Sequence, residues 1–253
     1  MLEIFSNSVL QSFLFSPLMG VVFGALFAGL SARPSATATI TVVETRRVFI
    51  EHTRVNKRSQ SDGSEVFGVA ILMAFVVWKY LQFAPEVLTY IQMTLISMTA
   101  FGLTCFFVSA IKGHFTSSDW FVRVAVPTAI LVLCLIVLAI AKQKITPDLV
   151  ALAQNNHITK FFTSLTQYGS YLVISHVLGV CLLVLVAIIN TLNLLHYLSL
   201  MNQRNYSSAS NVWFFLTRIT FRFSGKGAYI VTALFFTLSF LLVSGKIALW
   251  VTH

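Results

Sequence analysis

Long apolar runs alternate with short polar clusters along the chain. The apolar stretches cover approximately residues 8 to 31, 66 to 83, 87 to 111, 121 to 141, 168 to 199 and 228 to 250. A hydrocarbon core about 30 Å thick is crossed by about 20 helical residues, so each run has the size of one crossing. Lys112-Gly113-His114 and Ser117-Ser118-Asp119 mark a loop between the third and fourth runs. The second and third are joined only by Phe83-Ala84-Pro85-Glu86. Pro disfavours helix at the residue before it and suits the first turn of the next helix, so this join predicts a tight antiparallel helical hairpin. The pattern as a whole predicts an all-α membrane protein, a polytopic bundle of about six transmembrane helices.

One segment has a different period. From Thr37 to Val55 the chain is rich in β-branched residues, and Thr37, Thr39 and Thr41 alternate with Ala38, Ile40 and Val42, as in a strand or hairpin. The polar, Ser-rich stretch from Asn56 to Glu65 reads as a linker. The expected organisation is therefore a first span within 1–31, a cytoplasmic basic β-forming loop over 32–65, spans two to four within 66–141, an outer loop with a short surface helix over 142–167, and the fifth span, an amphipathic segment and the sixth span over 168–253. Thr146-Pro147-Asp148 is the start of that surface helix, which is expected to end near Asn155-Asn156.

Composition supports the membrane reading. The chain is 57% hydrophobic and 10% charged, with a mean hydropathy of +0.84, whereas about a quarter of a soluble domain is charged. The net charge of +9 reflects scarce acids as much as abundant bases. With an outside N-terminus, the inner side carries Arg33, Arg46, Arg47, Arg54, Lys57, Arg58, Lys112, Arg123, Arg204, Arg218, Arg222 and Lys226, and the outer side Lys79, Lys142, Lys144, Lys160 and Lys246. All the arginines fall on one side, so the positive-inside rule places both termini outside. Short loops and a basic inner face fit a bacterial cytoplasmic membrane. The absence of a base before Arg33 favours a reversed signal anchor over a cleaved signal peptide.

Four groups of residues are candidates for function. Gly20, Gly24 and Ala28, with Ala25 and Gly29 beside them, form a small-residue ridge that allows close helix approach, either between subunits or within the chain. In the fifth run His176, Asn190, Asn193 and Tyr197 share one helical sector with Gly179 and Ala187. Such a polar stripe must face protein or water, as interhelical glue or as a pore wall. Lys246 either snorkels to an interface or joins that wall. Within the basic loop, Thr39, Thr41, Arg46, Arg47 and Arg54 are candidates for binding a cytoplasmic protein. Arg218 and Arg222, four apart among aromatic residues, suggest an interfacial helix meeting anionic lipid headgroups, and their number on one face is too small to point to nucleic acid.

The acids, Glu3, Glu44, Glu51, Asp62, Glu65, Glu86, Asp119 and Asp148, all lie in loops or at helix ends, which disfavours ion-coupled transport. Cys105, Cys134 and Cys181 lie in apolar runs without metal or redox spacing. No enzyme motif and no metal or cofactor motif is present. The sequence thus supports three expectations: a homo-oligomer that forms or gates a pore or perturbs the membrane on a cytoplasmic signal, a non-conducting anchor or sensor that recruits a partner through residues 32–65, and a small-solute transporter.

Overall fold

A computed structural model describes residues 17–26, 63–113, 120–203 and 210–252. The predicted β-forming loop, with Thr39, Thr41, Arg46, Arg47 and Arg54, lies outside these residues as far as residue 62, as do Ala28 and Gly29, while Gly63, Ser64 and Glu65, expected as the end of its linker, open a helix. Among the described residues the chain is helical almost throughout and contains no strand. Its helices are α1 (Pro17–Leu26), α2 (Gly63–Gln82), α3 (Ala84–Ile111), α4 (Val126–Lys144), α5 (Pro147–Asn155), α6 (Ile158–Ser164), α7 (Gln167–Gln203), α8 (Ser210–Thr220), α9 (Lys226–Val243) and α10 (Lys246–Thr252).

Three helices, Ala84–Ile111, Phe121–Lys144 and Gln167–Asn202, are long and apolar enough to cross a membrane. The pair Asn211–Phe223 and Gly227–Val243 makes a fourth if its 60° bend is counted within one span. The centre of the bundle is α7. It packs against α9, α4 and α8, and more lightly against α3, α2 and α10. The main core joins Leu95, Leu131, Leu138, Leu183, Val186 and Leu194 from α3, α4 and α7.

The joins differ from the expected pattern in two places, each for a local reason. Phe83 alone separates α2 from α3, and the backbone hydrogen bonding hardly pauses there. The Phe83 amide reaches the carbonyl of Tyr80 at 3.2 Å, and the Phe83 carbonyl accepts from Val87 at 2.9 Å. A one-residue join makes a corner, whereas an antiparallel helix pair needs about two to five loop residues. The predicted tight hairpin is therefore absent, and α2 packs on α5, α6 and α7 more than on α3.

The sixth apolar run, expected as one helix over 228–250, is likewise divided into α9 and α10. Gly245 adopts a left-handed φ of 78°, which glycine tolerates without steric cost. The Ser244 and Gly245 amides close the end of α9 on the carbonyls of Phe240 and Leu242, a common way to satisfy terminal carbonyls.

At the start of the fourth run, Phe121–Ala125 form a π-helical turn in which the Val126 amide reaches the Phe121 carbonyl. Pro127 follows directly. It has no amide to offer and its ring crowds the carbonyl four residues back, so the widened turn accommodates it.

The two ends of the bundle are built differently. At one, the cap end, α5 and α6 fold back on α2. Thr146 starts α5 through its carbonyl, which accepts from Leu149 and Val150, and its side chain makes no capping bond. Phe161 and Ala153 are fully buried in a second cluster with Val77, Leu81, Val173 and Val177. At the opposite end, α7 gives way to α8, which packs back along α7 before the chain turns into α9.

Candidate functional site: a buried polar seam along α7

The expected polar stripe lies inside the chain. His176, Asn190 and Asn193 are buried, and partly buried Tyr197 packs on the main core. Ser175, His196, Ser199 and Asn202 of the same helix are buried as well. Together these side chains form a polar seam along α7.

Two kinds of hydrogen bond serve the seam. The first returns to the helix's own backbone: the Asn190 amide donates to the Val186 carbonyl at 2.7 Å, the Thr191 hydroxyl to Ala187 at 2.9 Å and the Ser199 hydroxyl to Leu195 at 2.7 Å. A polar side chain that bonds the carbonyl four residues back is tolerated in apolar surroundings because it leaves no group exposed to hydrocarbon.

The second kind ties α7 to its neighbours. His176 Nε2 lies 3.2 Å from the Tyr80 hydroxyl of α2. The Ser239 hydroxyl of α9 donates to the Gly179 carbonyl at 2.8 Å. Near the other end, His196 Nδ1 lies 3.0 Å from the Thr220 hydroxyl of α8. That hydroxyl already gives its only proton to the Leu216 carbonyl at 2.7 Å. Its oxygen must therefore accept from His196, which makes Nδ1 the protonated ring nitrogen.

Gly179 explains the closeness of α9. A Cβ built there would lie 2.7 Å from Val243 Cγ2 and 3.1 Å from the Val243 amide nitrogen, so a larger residue would force the helices apart. The small-residue ridge of the first run is used in the same way. A Cβ on Gly24 would lie 2.8 Å from Thr104 Cβ and 2.9 Å from the Phe101 carbonyl, and one on Gly20 would collide with the Ser97 carbonyl oxygen. Both glycines thus press on α3 of the same chain, while Ala25 is exposed.

Lys246 is exposed in the first turn of α10, just beyond Gly245. Arg218 and Arg222 are exposed on α8 and on the 3-10 turn Phe221–Phe223 that continues it. Lys142 donates to Gln92 between α4 and α3. Among the described residues, no three His, Cys, Asp or Glu side chains come together as a metal site.

His196, Ser199 and Asn202 fall outside the sector that defined the stripe. Helical residues advance about 100° each, so the three-residue steps Asn190, Asn193, His196, Ser199 and Asn202 drift about 60° per step around the helix. They wind towards the side covered by α8. The spacing was visible in the sequence, but the neighbour that covers it was not.

No family model matches this chain, and no curated protein or solved structure is detectably similar to it.

Proposed function

We propose that the chain is a multi-pass integral protein of the bacterial cytoplasmic membrane that serves as a non-conducting anchor or sensor, holding residues 32–65 in the cytoplasm for a partner protein. The observation that carries this reading is the α7 seam: its polar side chains are buried, His176, Asn190, His196 and Ser199 are hydrogen-bonded to their own helix or to α2 and α8, and Ser239 of α9 bonds the Gly179 carbonyl. A pore wall needs such groups facing water. An oligomer built on the glycine ridge needs the surface that Gly20 and Gly24 instead present to α3.

The proposed topology, six crossings with both termini outside, draws support from the charges. Arg123, Arg218 and Arg222 all lie at the α8 end, while Glu86 and Asp148 lie at the cap end.

Deleting residues 37–58 tests the function. The shortened chain is expected to remain in the membrane and to lose capture of its cytoplasmic partner, while proteoliposomes of the full chain pass no ions. Ion flux by the full chain that His176→Leu or Asn190→Leu abolishes would overturn the reading in favour of a pore.

One observation favours the transport reading. His176 Nδ1 is buried and has no hydrogen-bond partner among the described residues. If the seam opened, a solute or water would find a ready polar contact there. Saturable uptake that Asn190→Leu abolishes would establish that alternative.

A further inference from the structure

We propose that the outward face of α8 and its 3-10 continuation is a docking surface for anionic phospholipid at headgroup depth. Two faces of this segment contrast. Trp213 and Thr220 are buried on the side towards α7. The opposite side exposes Phe214 at 64%, Phe215 at 63%, Ile219 at 51% and Phe221 at 47%, with Arg218 and Arg222 exposed among them.

This mixture suits only one depth. Several half-exposed aromatic rings side by side are costly to leave in water, and two guanidinium groups are costly in hydrocarbon. The boundary between headgroups and acyl chains accommodates both, with the rings directed inward and the cations at the phosphates.

Helix length and direction agree with that depth. The 37 residues of α7 extend about 55 Å at 1.5 Å per residue, well beyond a hydrocarbon core of about 30 Å. The last part of α7 is the part that α8 covers through the His196–Thr220 contact. The segment Asn211–Phe223 is bent 60° from Gly227–Val243, so if α9 stands across the bilayer, α8 inclines towards its plane.

Charge selects the lipid. Arg218 and Arg222 stand one turn apart and form no ion pair among the described residues. Arg218 stands in the last turn of α8 and Arg222 in the 3-10 turn that directly follows it, so both guanidinium groups can reach headgroup phosphates from the same short segment. Guanidinium matches phosphate geometry with paired hydrogen bonds, and a net negative headgroup adds an attraction that a zwitterionic one lacks.

The test uses the full chain, with phosphatidylglycerol as probe. Protein in nanodiscs of phosphatidylcholine alone, or of an equal mixture with phosphatidylglycerol, is released into native mass spectrometry and the retained lipid identified. Retained phosphatidylglycerol should exceed its bulk share. Apparent affinity should fall roughly five-fold per arginine in R218Q and R222Q, and about thirty-fold in the double variant. R218K/R222K should keep most of the preference, which a purely structural role for the arginines would not predict. K79Q/K246Q, at the cap end, should leave the preference unchanged.

Undiminished enrichment in R218Q/R222Q, or equal loss in K79Q/K246Q, would overturn the proposal. Displacement of the lipid by inorganic phosphate would also overturn it, since the site would then bind free anion. The proposal rests on the membrane reading above, and the two fail differently. A chain that resists carbonate extraction but shows no lipid preference removes the lipid surface alone, whereas a chain released by carbonate removes both.

Discussion

The cap end and the α8 end close the same bundle in opposite ways. At the cap end the chain consumes its own polar groups: the Trp78 indole and the Gln82 amide both donate to the Ala153 carbonyl, at 3.1 and 2.9 Å, and the Gln154 amide donates back to the Gln82 carbonyl at 3.1 Å. Phe161, the largest fully buried side chain among the described residues, lies there. At the α8 end only one face of the amphipathic helix is consumed, and rings and arginines remain outside. Both segments have amphipathic sequences, so amphipathicity alone does not say whether a helix is structural or available. The difference lies in what the exposed face carries: the outward face of α8 presents aromatic rings together with arginines, whereas the ring of Phe161 in the cap is buried.

The contrast breaks most visibly at Phe161. Phe161→Ala should destabilise the protein by about 3 to 5 kcal/mol, the usual cost of emptying a buried aromatic site, read as a lower thermal midpoint in detergent. Phe215→Ala at the α8 end should leave that midpoint nearly unchanged. Equal losses at the two positions would mean that α8 is as closed as the cap.

Next in size is the α7–α9 crossing. Gly179→Ala should cost about 1 to 3 kcal/mol by overpacking against Val243. Gly225→Ala, where a Cβ meets nothing within 4 Å, should cost far less. A neutral Gly179→Ala would show that the helices separate freely.

Smaller again, Tyr80→Phe and His176→Leu should each cost on the order of 1 kcal/mol for their shared hydrogen bond. The double variant should cost less than the sum, because the two residues are in contact. Strict additivity in denaturation midpoints would show that the bond contributes nothing. The smallest effect is expected at Ser239→Ala, about 0.6 kcal/mol, the average for interhelical hydrogen bonds in membrane proteins.

The bundle was legible in the sequence where hydrophobic length dominates. The runs at 87–111, 121–141 and 168–199 coincide with helices able to cross a membrane, because an unbroken apolar stretch leaves the backbone little choice but to bond to itself. Breaks inside such stretches were not legible. Gly245 stands in an apolar run as one small residue among many, and only its left-handed conformation makes it a terminus. The corner at Phe83 was similarly hidden, since Pro85 marks a helix start without saying how far the chain has turned. In the seam, His176 and Asn190 stood out as polar residues in an apolar helix. Tyr80 and Thr220, which meet His176 and His196 from α2 and α8, belong to elements whose placement only the tertiary fold supplies.

Water access to the seam tests the central claim most directly. In a Cys181→Ser background, which removes the exposed cysteine and leaves Cys105 and Cys134 buried, Asn193→Cys is treated from both sides of the membrane with a charged maleimide, with exposed Gln154→Cys as the reactive control. A seam enclosed within the chain predicts that Cys at 193 stays unmodified in the folded protein and reacts fully after denaturation in detergent, while Cys at 154 reacts in both. Rapid modification at 193 in the folded protein would contradict the account and place water along α7.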